Sequence, residues 1–329
     1  MEQARPARRS GTALIAVLGV LVLLVAGAVG WLVLRGDDGS PARATGVVDE
    51  ATVPRAAGQV TADLTPTGGF VASLRVADQS RQQITVRSLS STGAGSGYAG
   101  EVSAYDPGTF DPKALQEGER TVVAGQDAWY VAQYVFPGDG AGQRTAVLGW
   151  QDPSGAWLLT YADTAANEGR IFDLDHLQRL SEQVVISPAH DLRAPFRLGW
   201  MPAGLSMTFV AASENAGSAS SATVGLSAAG RKPSTAASYA GVPKNLDLSI
   251  SATAPDKRWS QEKAQLSGAT TIAGRPAWLD GNDLVVQERQ CVLRVHTSGK
   301  RPRAELERLV KEVRVGDCAE PDSWTAPAG

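Results

Sequence analysis

A chain of 329 residues has room for two domains of ordinary size. Its 43% hydrophobic and 20% charged residues make a globular mixture and exclude a disordered or collagen-like chain. A formal net charge of −3 argues against a nucleic-acid binder, which needs a strongly basic face, and the 24 Arg against 7 Lys read as the signature of a GC-rich genome.

Residues 1–10 are expected to be a short cytoplasmic stub, followed by a membrane-spanning helix over 11–34. Gly11 to Leu34 holds no charged residue, and a helix of that length reaches roughly 36 Å, against a bilayer core of about 30 Å. Arg5, Arg8 and Arg9 precede it, while Asp37 and Asp38 follow Arg35. The positive-inside rule then keeps the N-terminus in the cytoplasm and places the rest outside, as a single-pass protein of the cell membrane. A cleaved signal peptide is the competing reading, with Ala26-Gly27-Ala28 as its small-residue site. The apolar run continues through Trp31, Leu32, Val33 and Leu34, so an uncleaved anchor is favoured. Residues 35–60, rich in Gly, Ala and Pro, read as a flexible tether. The tripeptide Arg35-Gly36-Asp37 abuts the membrane and is read as coincidence.

Beyond the tether the same order of elements is expected twice, over 61–190 and 191–318, with a tail over 319–329. The first copy carries Thr121-Val122-Val123-Ala124-Gly125-Gln126-Asp127-Ala128-Trp129 and the second Thr271-Ile272-Ala273-Gly274-Arg275-Pro276-Ala277-Trp278. Strand-like stretches precede and follow each motif. An amphipathic helix then ends each copy: Leu174, Leu177, Leu180 and Val184 after the N-cap Asp173, and Leu306, Leu309, Val310 and Val313 after Pro302. The expected class is α+β: a membrane helix followed by two similar repeats, each an antiparallel sheet with one covering helix. A link near 188–196 separates the copies.

Cys291 and Cys318, both on the side made oxidising by this topology, are expected to form a disulfide. Closing that loop contributes on the order of 3 kcal/mol. A redox or nucleophilic pair lacks the C-x-x-C spacing.

Catalytic motifs are weak. Gly95 to Gly100 fits G-x-G-x-x-G but runs into a strand pattern instead of the helix that a dinucleotide site needs. Ser260-Gln261-Glu262-Lys263 fits S-x-x-K without its companion elements. His176, His190 and His296 show no metal-ligand spacing, and no Gly-x-Ser-x-Gly elbow occurs. No cofactor, metal or catalytic residue is therefore expected, and the chain is read as a non-enzyme. Trp129, Trp150, Trp157 and Trp278 fall on strands, where they form either core or a candidate ligand groove between sheet and helix. Lys300 to Arg314 carries six basic residues against three Glu, a surface for an anionic lipid head group or wall polymer, or a solvated helix face.

The repeated V/I-x-G-x-x-A-W pattern, followed by two strands and L-x-x-L-x-x-x-V, resembles a domain of membrane-anchored extracytoplasmic proteins in high-GC Gram-positive bacteria. It is distantly similar to periplasmic lipoprotein carriers and to sensor modules that regulate anti-sigma factors. Arg197 to Leu205 resembles the W-x-P-x-G start of such domains, whereas the first copy has only Thr65-Pro66-Thr67-Gly68-Gly69. The resemblance implies binding or sensing. The expected function is a membrane-anchored, extracytoplasmic binding or interaction module acting on an envelope protein or lipid, not on nucleic acid. A lipophilic-ligand carrier or envelope sensor is second and a hydrolase third.

Overall fold

The computed structural model describes residues 55–65, 68–89, 97–136, 144–162, 173–213, 220–230 and 246–328. The expected membrane helix and the tether as far as residue 54 lie outside these. Among the described residues, no helix is long and apolar enough to cross a membrane.

The first half of the chain forms β1 (Gln59–Leu64), β2 (Phe70–Asp78), β3 (Arg81–Ser88), β4 (Tyr98–Tyr105), α1 (Lys113–Gln116), β5 (Glu119–Val123), β6 (Gln126–Val135), β7 (Arg144–Gln151), β8 (Trp157–Tyr161), α2 (Leu174–Ser181) and β9 (Val184–Asp191). The second forms β10 (Phe196–Leu198), β11 (Leu205–Ser213), β12 (Ser221–Ala228), β13 (Leu248–Thr253), α3 (Trp259–Gln265), β14 (Ala269–Ile272), β15 (Arg275–Asp280), β16 (Asp283–Gln287), β17 (Val292–Thr297), α4 (Arg303–Glu312) and β18 (Val313–Val315).

Fourteen strands make one antiparallel sheet. From its centre the order is β2-β3-β4-β8-β7-β6-β5 one way and β11-β12-β13-β17-β16-β15-β14 the other, so each strand sits opposite the one numbered nine higher. Two ribbons, β1 with β9 and β10 with β18, obey the same rule. At the centre β2 pairs antiparallel with β11, from Asp78 opposite Phe209 to Arg75 opposite Ala212. Each of these strands bulges against its outer neighbour, β2 between Ala72 and Leu74 and β11 between Met207 and Phe209.

The expected α+β class is corrected: of the described residues 52% are strand and 14% helix, so the described part is mostly β. The two helices with apolar stripes are only eight and ten residues long. Stretches without helical periodicity, such as 70–78 and 81–88, pair as strands instead, and the two halves do not form separate sheets. His190 and Asp191, expected in a link, end β9 opposite Val60 and Gln59. The tail is also packed: Trp324 is buried and Thr325 bridges Ala194.

Successive side chains on a strand point to opposite faces of a sheet. On one face α2 buries Leu177 and Leu180 over Ile84, Val86 and Val102, while α4 buries Leu306, Leu309 and Val310 over Val224, Ile250 and Val295. These two cores meet at the central strand pair, where Ala77 of β2 lies among the second-half residues. On the opposite face two smaller aromatic clusters flank the centre. One forms around Leu115, Trp157 and Tyr161 beneath α1, the other around Trp259 and Trp278 beneath α3.

Candidate functional site

The recurring motif is a hairpin turn. Ala124 and Gly125 have φ of 48° and 80°, and Ala273 and Gly274 have 50° and 78°. Positive φ at both central positions matches the right-handed twist of the flanking strands. The turn fixes the register of β5 on β6 and of β14 on β15, which sets Trp129 opposite Arg120 and Trp278 opposite Ala269.

The four tryptophans do not line one groove. Trp129 and Trp157 meet with ring centroids 5.8 Å apart on the face away from the long helices. Trp278 lies on that face in the other half, edge-on to Trp259 at 6.1 Å. Trp150 lies on the helix side, packed with Leu177 and Leu180. The space between sheet and long helices is filled by fully buried leucines and valines.

The other residues singled out from sequence are engaged structurally. His176 sits at the start of α2, where Asp173 accepts its backbone N–H at 2.9 Å and its ring Nε2 meets the Ala99 carbonyl at 2.6 Å. The His190 ring lies 3.3 Å from the nearby Pro188 carbonyl. Lys263 donates to Gln287 at 2.8 Å and lies over the Trp278 ring, so it is directed away from a role beside Ser260. Of the glycine motif, Gly97 to Gly100 lead straight into β4, and residues 95 and 96 lie outside the described set. Among the described residues no group of three His, Cys, Asp or Glu is placed to hold a metal ion. Cys291 and Cys318 are paired as a disulfide with Cα atoms 5.4 Å apart, joining the start of β17 to the segment after β18.

A feature invisible to motif reading lies on the sheet face away from the long helices. The cross-strand registers put polar side chains there in both halves. In the first half they are buried. Glu101 accepts from Gln83 Nε2 and Thr85 Oγ1, both at 3.1 Å, while Tyr161 is hydrogen-bonded by Gln83 at 3.2 Å and shares a bond with Ser103 at 3.1 Å. Burial, with Glu101 adding to it, pushes the Tyr161 hydroxyl well above its ordinary value. Phe136 closes over this network, its ring 4.7 Å from that of Tyr161.

In the second half the row matching Gln83 and Ser103 is half-buried and not sealed, while the next row is buried at Phe209 and Gly225 beside Leu246 and becomes exposed towards His296. Ala211, Thr223, Ser251 and Arg294 are direct cross-strand partners on β11, β12, β13 and β17, and all are half-buried. In the adjacent row Ser249 faces His296, and His296 faces Asp283. His296 Nδ1 and Asp283 Oδ1 are 2.7 Å apart, and Arg294 donates to Glu262 of α3 at 2.6 Å. The row has the residue types of a nucleophile, base and carboxylate. However, His296 and Asp283 are 59% and 58% exposed, so water screens the pair, and nothing among the described residues encloses a reacting atom. The arrangement is suited to contact: hydroxyls of low height, flanked by fixed charges of both signs and by the α3 wall. No protein-family model and no curated protein matches the chain.

Proposed function

We propose that the chain is a membrane-anchored, extracytoplasmic, non-enzymatic interaction module that binds a protein or wall component through the open face of β11, β12, β13 and β17. The observation that carries this reading is the difference between the halves. Polar residues at matching positions are sealed by Phe136 and its neighbours in the first half, and left open around Thr223, Ser249 and Ser251 in the second. A hydroxyl-rich surface with charged edges offers hydrogen bonds and steering charges to a polar partner, and little to a lipophilic one. The filled interior under both long helices speaks in the same direction, because a carrier needs space there. The disulfide fits an oxidising compartment, and Gly11 to Leu34 supplies the anchor.

The test uses full-length protein extracted from membranes in mild detergent. Thr223→Arg with Ser251→Glu, which alternates charge across the row to Arg294, should convert its complex to free chain without lowering the melting temperature, whereas Arg303→Glu on the helix side should leave the complex intact. A complex unchanged by the sheet-face pair contradicts the reading. So does labelling by a serine-directed fluorophosphonate that is lost in Ser249→Ala, which would establish the hydrolase.

A further inference from the structure

The β10–β18 ribbon places Arg197 directly opposite Arg314. Cross-strand neighbours have Cβ atoms about 5 Å apart, and like charges in that position repel. Both side chains are exposed, and neither makes an ion pair among the described residues. Two further cations on α4 adjoin them. Lys311 is exposed and also without an ion pair among those residues, and the Arg308 guanidinium lies 4.5 Å above the Trp200 ring. Met201, next along the chain, is 37% exposed. The Gly199 N–H donates to the Glu312 carbonyl at 3.2 Å, which holds the Trp200–Met201 loop against the end of α4. Glu312 is exposed beside them, while Glu305 and Glu307 are paired with Arg301 and Arg303. The other basic residues of the helix region are thus largely neutralised, and the charge concentrates at this ribbon.

We propose that this patch docks the domain onto anionic phospholipid head groups of the membrane that anchors it. Phosphates supply the counter-charge that the opposed arginines lack, and Trp200 and Met201 provide the apolar contact suited to the lipid interface. Reach agrees with this. Twenty residues, 35–54, lie between the anchor and the described chain, and a chain of that length can reach at most roughly 70 Å. The described chain enters close by, because the Leu192 N–H donates to the Gly58 carbonyl at 2.7 Å and Arg197 is five residues further on. Patch and long helices share one side of the sheet, so docking would turn the hydroxyl-rich face outward. The inference rests on the anchor in the proposed function, but not on its binding face.

The test is energy transfer to a lipid-borne acceptor. Full-length protein is labelled at Met201→Cys, or at Ser251→Cys as the opposite face, and reconstituted in phosphatidylcholine vesicles with or without phosphatidylglycerol. With phosphatidylglycerol, transfer from position 201 should exceed that from 251 and collapse in high salt. Arg197→Gln with Arg314→Gln should reduce the docked-to-free ratio about 25-fold, roughly fivefold per cation. Equal transfer from both positions, or no dependence on phosphatidylglycerol, overturns the proposal. A carbonate wash tests the anchor separately. If it strips the chain, salt-sensitive flotation of that chain with phosphatidylglycerol vesicles still supports the patch, and failure to float refutes it.

Discussion

Tyr134 and Tyr161 belong to the same aromatic cluster and are both buried, yet their hydroxyls differ in kind. Tyr161 is held by Gln83 and Ser103, while the Tyr134 oxygen has no hydrogen-bond partner among the described residues. An orphaned buried hydroxyl costs about 1–3 kcal/mol, so Tyr134→Phe should leave stability unchanged or raise it. Tyr161→Phe should lower it by a similar amount, because Gln83 and Ser103 each lose a partner; urea unfolding of both variants checks the contrast. Burial raises both phenols, Tyr134 to about 12. A raised value means that the fold favours the neutral form. That contribution is complete below the ordinary phenol value near 10 and is lost as pH climbs through the raised ones. Stability measured against pH should therefore fall in alkali, and less steeply for Tyr134→Phe.

The Ala-Gly turns and the disulfide belong to the scale of elements. An L-residue at positive φ costs about 1 kcal/mol, and Asn tolerates that region better than Ala. Ala124→Asn and Ala273→Asn, both at exposed turn tips, should each raise stability by about 0.5–1 kcal/mol in thermal melts. Replacing Cys291 and Cys318 by Ala should cost about 3 kcal/mol. Local signals of this kind were legible from the sequence: the recurrence of V-A-G and I-A-G, though not that each is a turn, the Leu spacing of α2 and α4, and Asp173 as the cap of α2. Class was not. Strands such as β2 and β3 carry Arg75, Arg81 and Gln83 at buried or half-buried positions, so their alternation is broken by polar residues whose partners lie on distant strands. The four tryptophans misled for a related reason: a strand residue's face depends on register, and Trp150 is out of phase with Trp129 and Trp157. The open polar face was also beyond reach, because Thr223, Ser251 and Arg294 become neighbours only through pairings between separate segments.

At the scale of the described molecule, the two halves join at the β2–β11 strand pair, where their two cores meet. Ala77 is fully buried opposite Val210 at that junction. Ala77→Asp would bury an unpaired carboxylate there, costing about 3 kcal/mol or more. Calorimetry should show a single transition splitting into two, one for each half. The same junction explains how one half can be sealed while the other stays open: a continuous sheet lends the rigidity of the covered half to the exposed one. The most direct measurement of that division of labour is photo-cross-linking in intact cells from single positions on the full chain. Position 251, on the open sheet face, should give a discrete protein or wall adduct that is abolished by Thr223→Arg, while position 103, at the matching site of the sealed half, should give none. Equal adducts from both positions, or none from 251, would contradict the assignment of this face as the binding surface.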